Sequence, residues 1–477
     1  MSKITAYASL AAWQPADVLP VVDVSDTSMA ASGTTRKASV SVLTSGIPPS
    51  GDTTGAADMA NISAALTATG QAPLGFGTFY TTNITLDTNQ VLSGSGPGTV
   101  LQAPAGVTGY MVALKTPAST VRVTVRDLQL IPNRAGLGGV LFDNTGYSVG
   151  SPVDPMHQAD NVLVYNARGD AFHFDNVARE LRITRCKAYN GEGFGFYLGG
   201  GCTDSHFTDC TAGVSGSHGW QVFGSSNMLT ACKAFWSGYS TVNAVWNGTS
   251  NGFNVSGVSS CQLVNCQAQQ AALHGFELFQ TLNTNVICCE SDTNSAGGVS
   301  TGVGFDTNQN TNLVLTGCTG GNYVISPGAQ AYGLQVANTQ TNTVFIGNTV
   351  TGTGGQFNYV SGGGYLLIGG SGFDIRAIAA SAKVYGLDVV QAGQGLAVAE
   401  GSNAKQGTAT LNGTTAVVVS NTSVTANSRI MLTIQVPGGG TTGSPYVSAR
   451  TAGTSFSVKS TGAGDTSTVA YEIFEPG

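Results

Sequence analysis

Carboxylates are scarce in this chain of 477 residues, 26 in all. A pair of them at equivalent positions of a repeating phrase is therefore the first place to look for chemistry. Glu277 and Asp306 form such a pair, each directly following a Gly-Phe doublet, Gly275-Phe276 and Gly304-Phe305. If the doublets stack, the two carboxylates sit on neighbouring strands, about 4.8 Å apart at the backbone. Two acids that close cannot both ionise freely. One pKa rises, and the pair can divide the roles of proton donor and nucleophile as in a glycoside hydrolase. His274, two residues before Phe276, is placed to assist. The plain alternative is a solvated polar column, in which acids are ordinary. Glu290 and Asp292, at the base of the insertion 290–304, are the rival pair. A second chemistry is offered by Trp236, Tyr239 and Trp246, which with Phe235 fall within residues 233–252 among otherwise small side chains. Exposed aromatic faces pack on the apolar faces of sugar rings; the competing reading packs these rings on the coil beneath or on a neighbouring subunit.

The elements that must position these residues are written in the repeat itself. The doublet's large residue is Phe172, Phe196, Trp220, Phe253, Phe276, Phe305 and Leu334, and its small residue is Gly everywhere except Ala171. A hydrophobic-x-x-Cys unit follows each, closing at Cys186, Cys210, Cys232, Cys266, Cys289, Cys318 and finally Asn348. Doublets recur every 23 to 33 residues, a period at which each turn of a solenoid needs its neighbours to bury its apolar face. Val, Ile, Leu, Phe, Thr and Asn fill the intervals, with Gly at the corners, which is strand-and-turn chemistry. The expectation is an all-β chain built on a right-handed parallel β-helix, with the aromatic and thiol positions forming inward columns. By alternation the residue after each doublet (His173, Tyr197, Gln221, Asn254, Glu277, Asp306, Gln335) should face outward to solvent. The inserted length falls only between Cys and the next doublet, so loops should bulge from one corner, which in solenoids is often the binding face.

Composition excludes several classes. Charged residues make up 9 % of the chain, against roughly 25 % in a typical soluble domain. The net charge is −7, and the densest basic stretch is only Arg179, Arg182, Arg185 and Lys187, so no nucleic-acid partner is expected. The nine cysteines are odd in number and lack a CxxC pair. They read as buried packing residues, with Cys202, Cys261 and Cys288 off the main register. No apolar run reaches the length of a membrane span and the N-terminus does not read as an export signal, so no membrane insertion is expected. No cofactor or metal is implied: Gly94, Gly96 and Gly98 read as a turn, and Asp154, His157 and Asp160 as a hydrogen-bonded loop.

Three regions follow. Residues 1–48 form a leading module whose VLPVVDVSD segment reads as a strand. Residues 49–392 form the β-helix, opened by a helical cap near 56–69 in which Met59, Ile62 and Leu66 are helically spaced and Gly70 is the stop. Residues 393–477 comprise a glycine-rich joint and six alternating segments that read as an antiparallel β-sandwich. The opening GDTTGAADMANISAAL…GTFYTTN…LSGSGPGTVL resembles the entry segment of pectate-lyase-like β-helix proteins, including many phage tailspikes. The leading PVVDVSDTSMAASGTTRKASVSVL looks like the virion-attachment module of phage tail and fibre proteins. The close, GLAVAEGSNAKQGTATLNGTTAVVVS…VAYEIFEP, is similar to a C-terminal domain common in minor tail proteins of phages of actinobacteria. The resemblance implies a virion spike or fibre, assembled in the host cytoplasm as a homotrimer. It would dock to a baseplate, tail or capsid protein through residues 1–48 and touch a host cell-surface polysaccharide. Three functions are compatible with it: an adhesin, a depolymerase of the hydrolase or lyase type acting through Glu277 and Asp306, and a head-decorating fibre. Scarcity of acids tilts the reading toward adhesion.

Overall fold

A computed structural model describes residues 18–23, 34–39, 46–133, 138–148, 150, 153–298, 301–322, 329–338, 340–350, 352–353, 355–359, 365–368, 376–377 and 400–475. The chain falls into two compact units, Met1–Lys383 and Val384–Gly477. The expected boundary at 392/393 and the joint before residue 400 lie outside the described residues.

The first unit is a parallel β-helix. One coil runs through Phe196–Leu198, His206–Thr208 and Thr211–Ser215 before returning to Trp220–Val222. The first of these strands belongs to an eleven-stranded sheet, referred to below as the site sheet. Its register aligns Phe172, Phe196, Trp220, Phe253, Phe276, Phe305 and Leu334 in one column. The rings stack nearly parallel, with centroids 4.7 Å apart for Phe172–Phe196, 4.0 Å for Phe196–Trp220 and 4.8 Å for Phe276–Phe305. Every member is fully buried. The column continues below the repeat through Val140, which follows Gly139, and through Val112 and Ile84, which follow no glycine.

The small residue of the doublet has a steric cause. A Cβ at Gly219 would lie 2.7 Å from the Cβ of Ala234, and one at Gly252 2.7 Å from that of Ala268. The position points inward at the alanines of the facing strand, so Gly is needed there, Ala171 of the opening copy being the exception. Two consecutive inward residues break the alternation. The residue two before each large ring is thereby brought to the side of the outward column, as its contacts below show.

The hydrophobic-x-x-Cys unit is a corner. Arg185, Asp209, Ala231, Asn265 and Cys288, each just before a column cysteine, have φ of 51–54°. One left-handed residue turns the chain between two strands, leaving the hydrophobic residue and the Cys inside. Thiols bond back one coil: Cys210 Sγ donates to the Ile183 carbonyl at 3.5 Å and Cys266 Sγ to that of Leu229 at 3.4 Å. Asn348 ends the column, its Nδ2 donating to the Leu315 carbonyl and its Oδ1 accepting from the Cys318 N–H, both at 2.9 Å. All nine cysteines are free thiols, and Cys288, on the turn itself, is exposed.

The helix Ala56–Thr69 opens the solenoid, burying Ile62 and Leu66 and ending at left-handed Gly70 (φ 73°), as its spacing implied. Asp58 is buried too, which the spacing did not indicate. Its Oδ1 accepts the Ser50 N–H at 2.7 Å and its Oδ2 the Tyr80 N–H at 2.8 Å, tying the helix to a strand. At the N-terminus Val18–Asp23 and Thr34–Ser39 pair antiparallel. The second unit contains two three-stranded antiparallel sheets, one of Gln406–Thr410, Thr468–Phe474 and Arg429–Val436, the other of Val417–Ser420, Ser455–Ser460 and Pro445–Thr451. Their core is small: Leu411, Val424, Phe456, Val458, Val469, Tyr471 and Ile473.

Candidate functional site

Glu277 and Asp306 are in-register neighbours on the site sheet, flanked by Asn254 below and Gln335 above. The sequence argument expected this column to face outward into solvent. The orientation holds, but the solvation is uneven: Asp306 is only 6 % exposed and Gln221 3 %, whereas His173, Tyr197, Asn254, Glu277 and Gln335 are half-buried. Residues two before the rings pack against the column, Asn251 on Glu277 and His274 beside Asp306. Asp306 Oδ1 accepts a hydrogen bond from Gln335 Nε2 at 2.9 Å. Its Oδ2 lies 3.9 Å from His274 Nε2, beyond hydrogen-bond range. Glu277 Oε2 accepts from Asn251 Nδ2.

The electrostatics follow from these contacts. Burial, then the adjacent Asp306 carboxylate, push the Glu277 carboxyl above its ordinary pKa, against the opposing effect of the Asn251 hydrogen bond. Burial holds the His274 imidazole below its ordinary value, although Asp306 pulls the other way. His218 is lowered to about 4 by burial. Both rings are orientated by backbone donors: His218 Nδ1 accepts the Asn251 N–H at 2.8 Å and His274 Nδ1 the Val303 N–H at 3.1 Å. In the neutral form the proton must therefore sit on Nε2. That places the His274 N–H on the Asp306 side. The arrangement holds one carboxyl biased toward its protonated form beside a second carboxylate oriented by an amide donor.

The corner residues His218 and Asn251 were not singled out from the sequence, although a signal existed. His218-Gly-Trp, Asn251-Gly-Phe and His274-Gly-Phe repeat one polar-Gly-aromatic phrase. The rival pair is placed elsewhere. Glu290 and Asp292 lie on one strand of another face of the coil, and each accepts from a glutamine one coil back: Gln267 Nε2 at 3.0 Å and Gln269 Nε2 at 3.2 Å. Trp236, Tyr239 and Trp246 gather on a hairpin in which Tyr239 faces Trp246. Their centroids are 5.1–5.7 Å apart and Trp236 Nε1 donates to Gln270 Oε1 at 2.8 Å. The rings pack on one another and remain half-buried. Asp154 and His157 lie in the irregular stretch before the strand Gln158–Tyr165 and Asp160 on that strand; His157 is fully buried, with Nε2 3.0 Å from Asn144 Oδ1, while Asp154 and Asp160 pair with Arg179 and Arg185. Among the described residues no group of three or more His, Cys, Asp or Glu is arranged to hold a metal ion, and no helix is long and apolar enough to cross a membrane.

Comparison with known proteins adds the following. Residues 403–474 match the family model of the C-terminal domain of K1 capsule-specific polysaccharide lyase. No curated protein matches the chain in sequence. In structure the chain is similar to full-length tailspike protein 2 from an Escherichia coli O157:H7 bacteriophage, at TM-score 0.53 and 14 % identity, over 87 % of this chain and 60 % of that one. The enzymatically active domain of the bacteriophage CBA120 tailspike protein 2 gives TM-score 0.50 and 12 % identity over 85 % and 72 %. A tailspike from the Acinetobacter baumannii bacteriophage Fri1, a capsular polysaccharide depolymerase, gives 0.42 and 13 % over 98 % and 90 %. The expected resemblance to phage tailspikes built on a β-helix thus holds at the level of fold, and residues 403–474 are similar to a C-terminal domain of a capsule lyase.

Proposed function

We propose that this chain is a phage virion tail spike or fibre that engages host cell-surface glycan on its β-helix, and that Glu277 and Asp306 cleave the bound glycan. The observation that carries the catalytic part is the in-register juxtaposition of a buried and a half-buried carboxyl with unlike partners. Adjacent rungs, about 4.8 Å apart at the backbone, suit a retaining mechanism better than an inverting one. Asp306, oriented by Gln335, attacks the anomeric carbon; the glycosidic C–O bond breaks as Glu277 gives its proton to the departing oxygen. Water, deprotonated by Glu277, then releases the sugar from Asp306. His274 positions Asp306 from the side, and the Trp236–Tyr239–Trp246 cluster supplies a further sugar contact. The test is incubation of the purified protein with host cell-wall polysaccharide and a reducing-end assay. Release that disappears in Glu277→Gln and in Asp306→Asn supports cleavage. A second reading, an adhesin that binds without cutting, draws on the low exposure of Asp306; tight binding with no release in the native protein selects it.

Attachment through residues 1–48 and assembly as a homotrimer belong to the same proposal. They draw support from the fold shared with tailspikes and from the small core of the C-terminal unit, where Val418, Met431 and Val436 are exposed. Solution mass of the full chain tests the trimer. Labelled virions imaged with and without residues 1–48 test the attachment and distinguish tail from head.

A further inference from the structure

The glycan reading leaves open where on the β-helix the sugar lies and what kind it is. The outward column below the acid pair is Asn254, Gln221, Tyr197 and His173. Its lower end is aromatic: Tyr197 stacks on His173 at 4.4 Å and meets Phe194 at 5.5 Å and Phe223 at 6.1 Å. Phe223, the first residue after the strand Trp220–Val222, is 41 % exposed. Between the aromatic end and the acids sits an unfinished hydrogen bond. Gln221 is almost fully buried and its Oε1 accepts from Asn254 Nδ2 at 3.1 Å, yet its Nε2 has no acceptor. A buried donor left unpaired costs about 1–3 kcal/mol, and an orphan donor at this seam calls for an acceptor oxygen brought by a ligand.

The charge of the face narrows the ligand. Its outward positions on the rungs of residues 172 to 334 carry acids but neither Lys nor Arg. Arg168 lies at the corner before Asp170, Arg179 and Arg185 are already paired with Asp154 and Asp160, and Arg182 with Glu180. A polyanionic glycan would meet Glu277 and Asp306 with nothing to neutralise it. An uncharged one offers hydroxyl and ring oxygens to Gln221 and apolar ring faces to Tyr197 and Phe223. From the Tyr197 rung to the Asp306 rung is four steps, about 19 Å at the parallel-strand spacing, room for several sugar rings along the axis.

We infer that the outward face of the site sheet, from Tyr197 and Phe223 through Gln221 to Glu277 and Asp306, is the binding groove for an uncharged glycan. The inference rests on the glycan reading above but not on cleavage. It is tested by calorimetric titration of the full-length protein, native and Glu277→Gln in parallel, with two sets of probes. Arabinogalactan, mannan and α-glucan form the neutral set; polysialate, polygalacturonate and hyaluronan form the anionic set. Binding is expected within the neutral set, unaffected by salt. It should weaken at least tenfold on adding Phe223→Ala or Gln221→Leu, with an unchanged melting temperature as the control for folding. Trp246→Ala, at the further sugar contact, should weaken it by less than either of these. Salt-sensitive binding confined to polyanions overturns the ligand class. Neutral binding that survives Phe223→Ala and Gln221→Leu but is lost in Trp246→Ala overturns the location while leaving the proposed function standing. Absence of binding to every probe and to host cell-wall polysaccharide removes the glycan reading itself.

Discussion

His157 offers a quantitative test of how this interior treats charge. The ring is fully buried; its Nδ1 accepts the Val123 N–H at 3.3 Å, its Nε2 faces Asn144 Oδ1 at 3.0 Å, and Phe142 packs at 4.9 Å. Burial lowers its pKa from 6.5 to about 3. A base whose folded pKa is depressed stays neutral while the unfolded chain takes up a proton. Its contribution to stability is therefore complete above pH 6.5 and falls as the pH drops from there to about 3. At pH 5 this single ring favours the unfolded state by about 2 kcal/mol relative to neutral pH. His218 acts in the same direction between pH 6.5 and about 4, and Glu277, whose pKa is raised, acts in the opposite one. Asp465 and Glu475, whose pKa values are lowered mainly by hydrogen bonds from Ser460 and by Lys405 respectively, matter only under more acid conditions. The perturbation is His157→Leu, since Leu181 occupies the equivalent place one coil on. Urea unfolding at pH 7 and pH 5 is the assay. The variant should be less stable at pH 7 by about 1–3 kcal/mol, because the Val123 N–H loses its acceptor. Between pH 7 and pH 5, however, it should lose about 2 kcal/mol less than the native protein. Equal losses in the two proteins would refute the reasoning.

Three further outcomes are expected. Phe253→Ala removes a ring held between Trp220 at 5.8 Å and Phe276 at 4.8 Å, so urea unfolding should show a loss of about 3–5 kcal/mol. Gly252→Ala sets a Cβ 2.7 Å from that of Ala268 and from the Gly275 carbonyl oxygen; a loss of about 1–3 kcal/mol is expected, part of it restored by adding Ala268→Gly. In the native protein only Cys288 should react rapidly with a thiol reagent, the other eight cysteines reacting after denaturation; a second fast thiol would contradict the closed columns.

Much of the architecture was legible in the residue order, for a physical reason. A solenoid repeats one set of steric demands per turn, so Gly219-Trp220 and Gly252-Phe253 announce the same inward pair, and the column of cysteines announces the same corner. Cys288 looked out of register only because the position before each column cysteine is a left-handed turn, a backbone conformation the residue type does not reveal. Asp58 was likewise hidden, since its partners Ser50 and Tyr80 are brought to it by the fold.

The candidate site divides along the same line. Position after a doublet was enough to put Glu277 beside Asp306, because a parallel register carries equivalent residues to adjacent rungs. The sequence could not show that Asp306 and Gln221 are buried on this face, that His274 directs its N–H side toward Asp306, or that Gln221 is left short of a partner. Those features arise where the doubled inward step brings the residue before each glycine against the outward column. Periodicity determines which residues share a column; only packing between columns decides how much water reaches them, and hence what their charges can do.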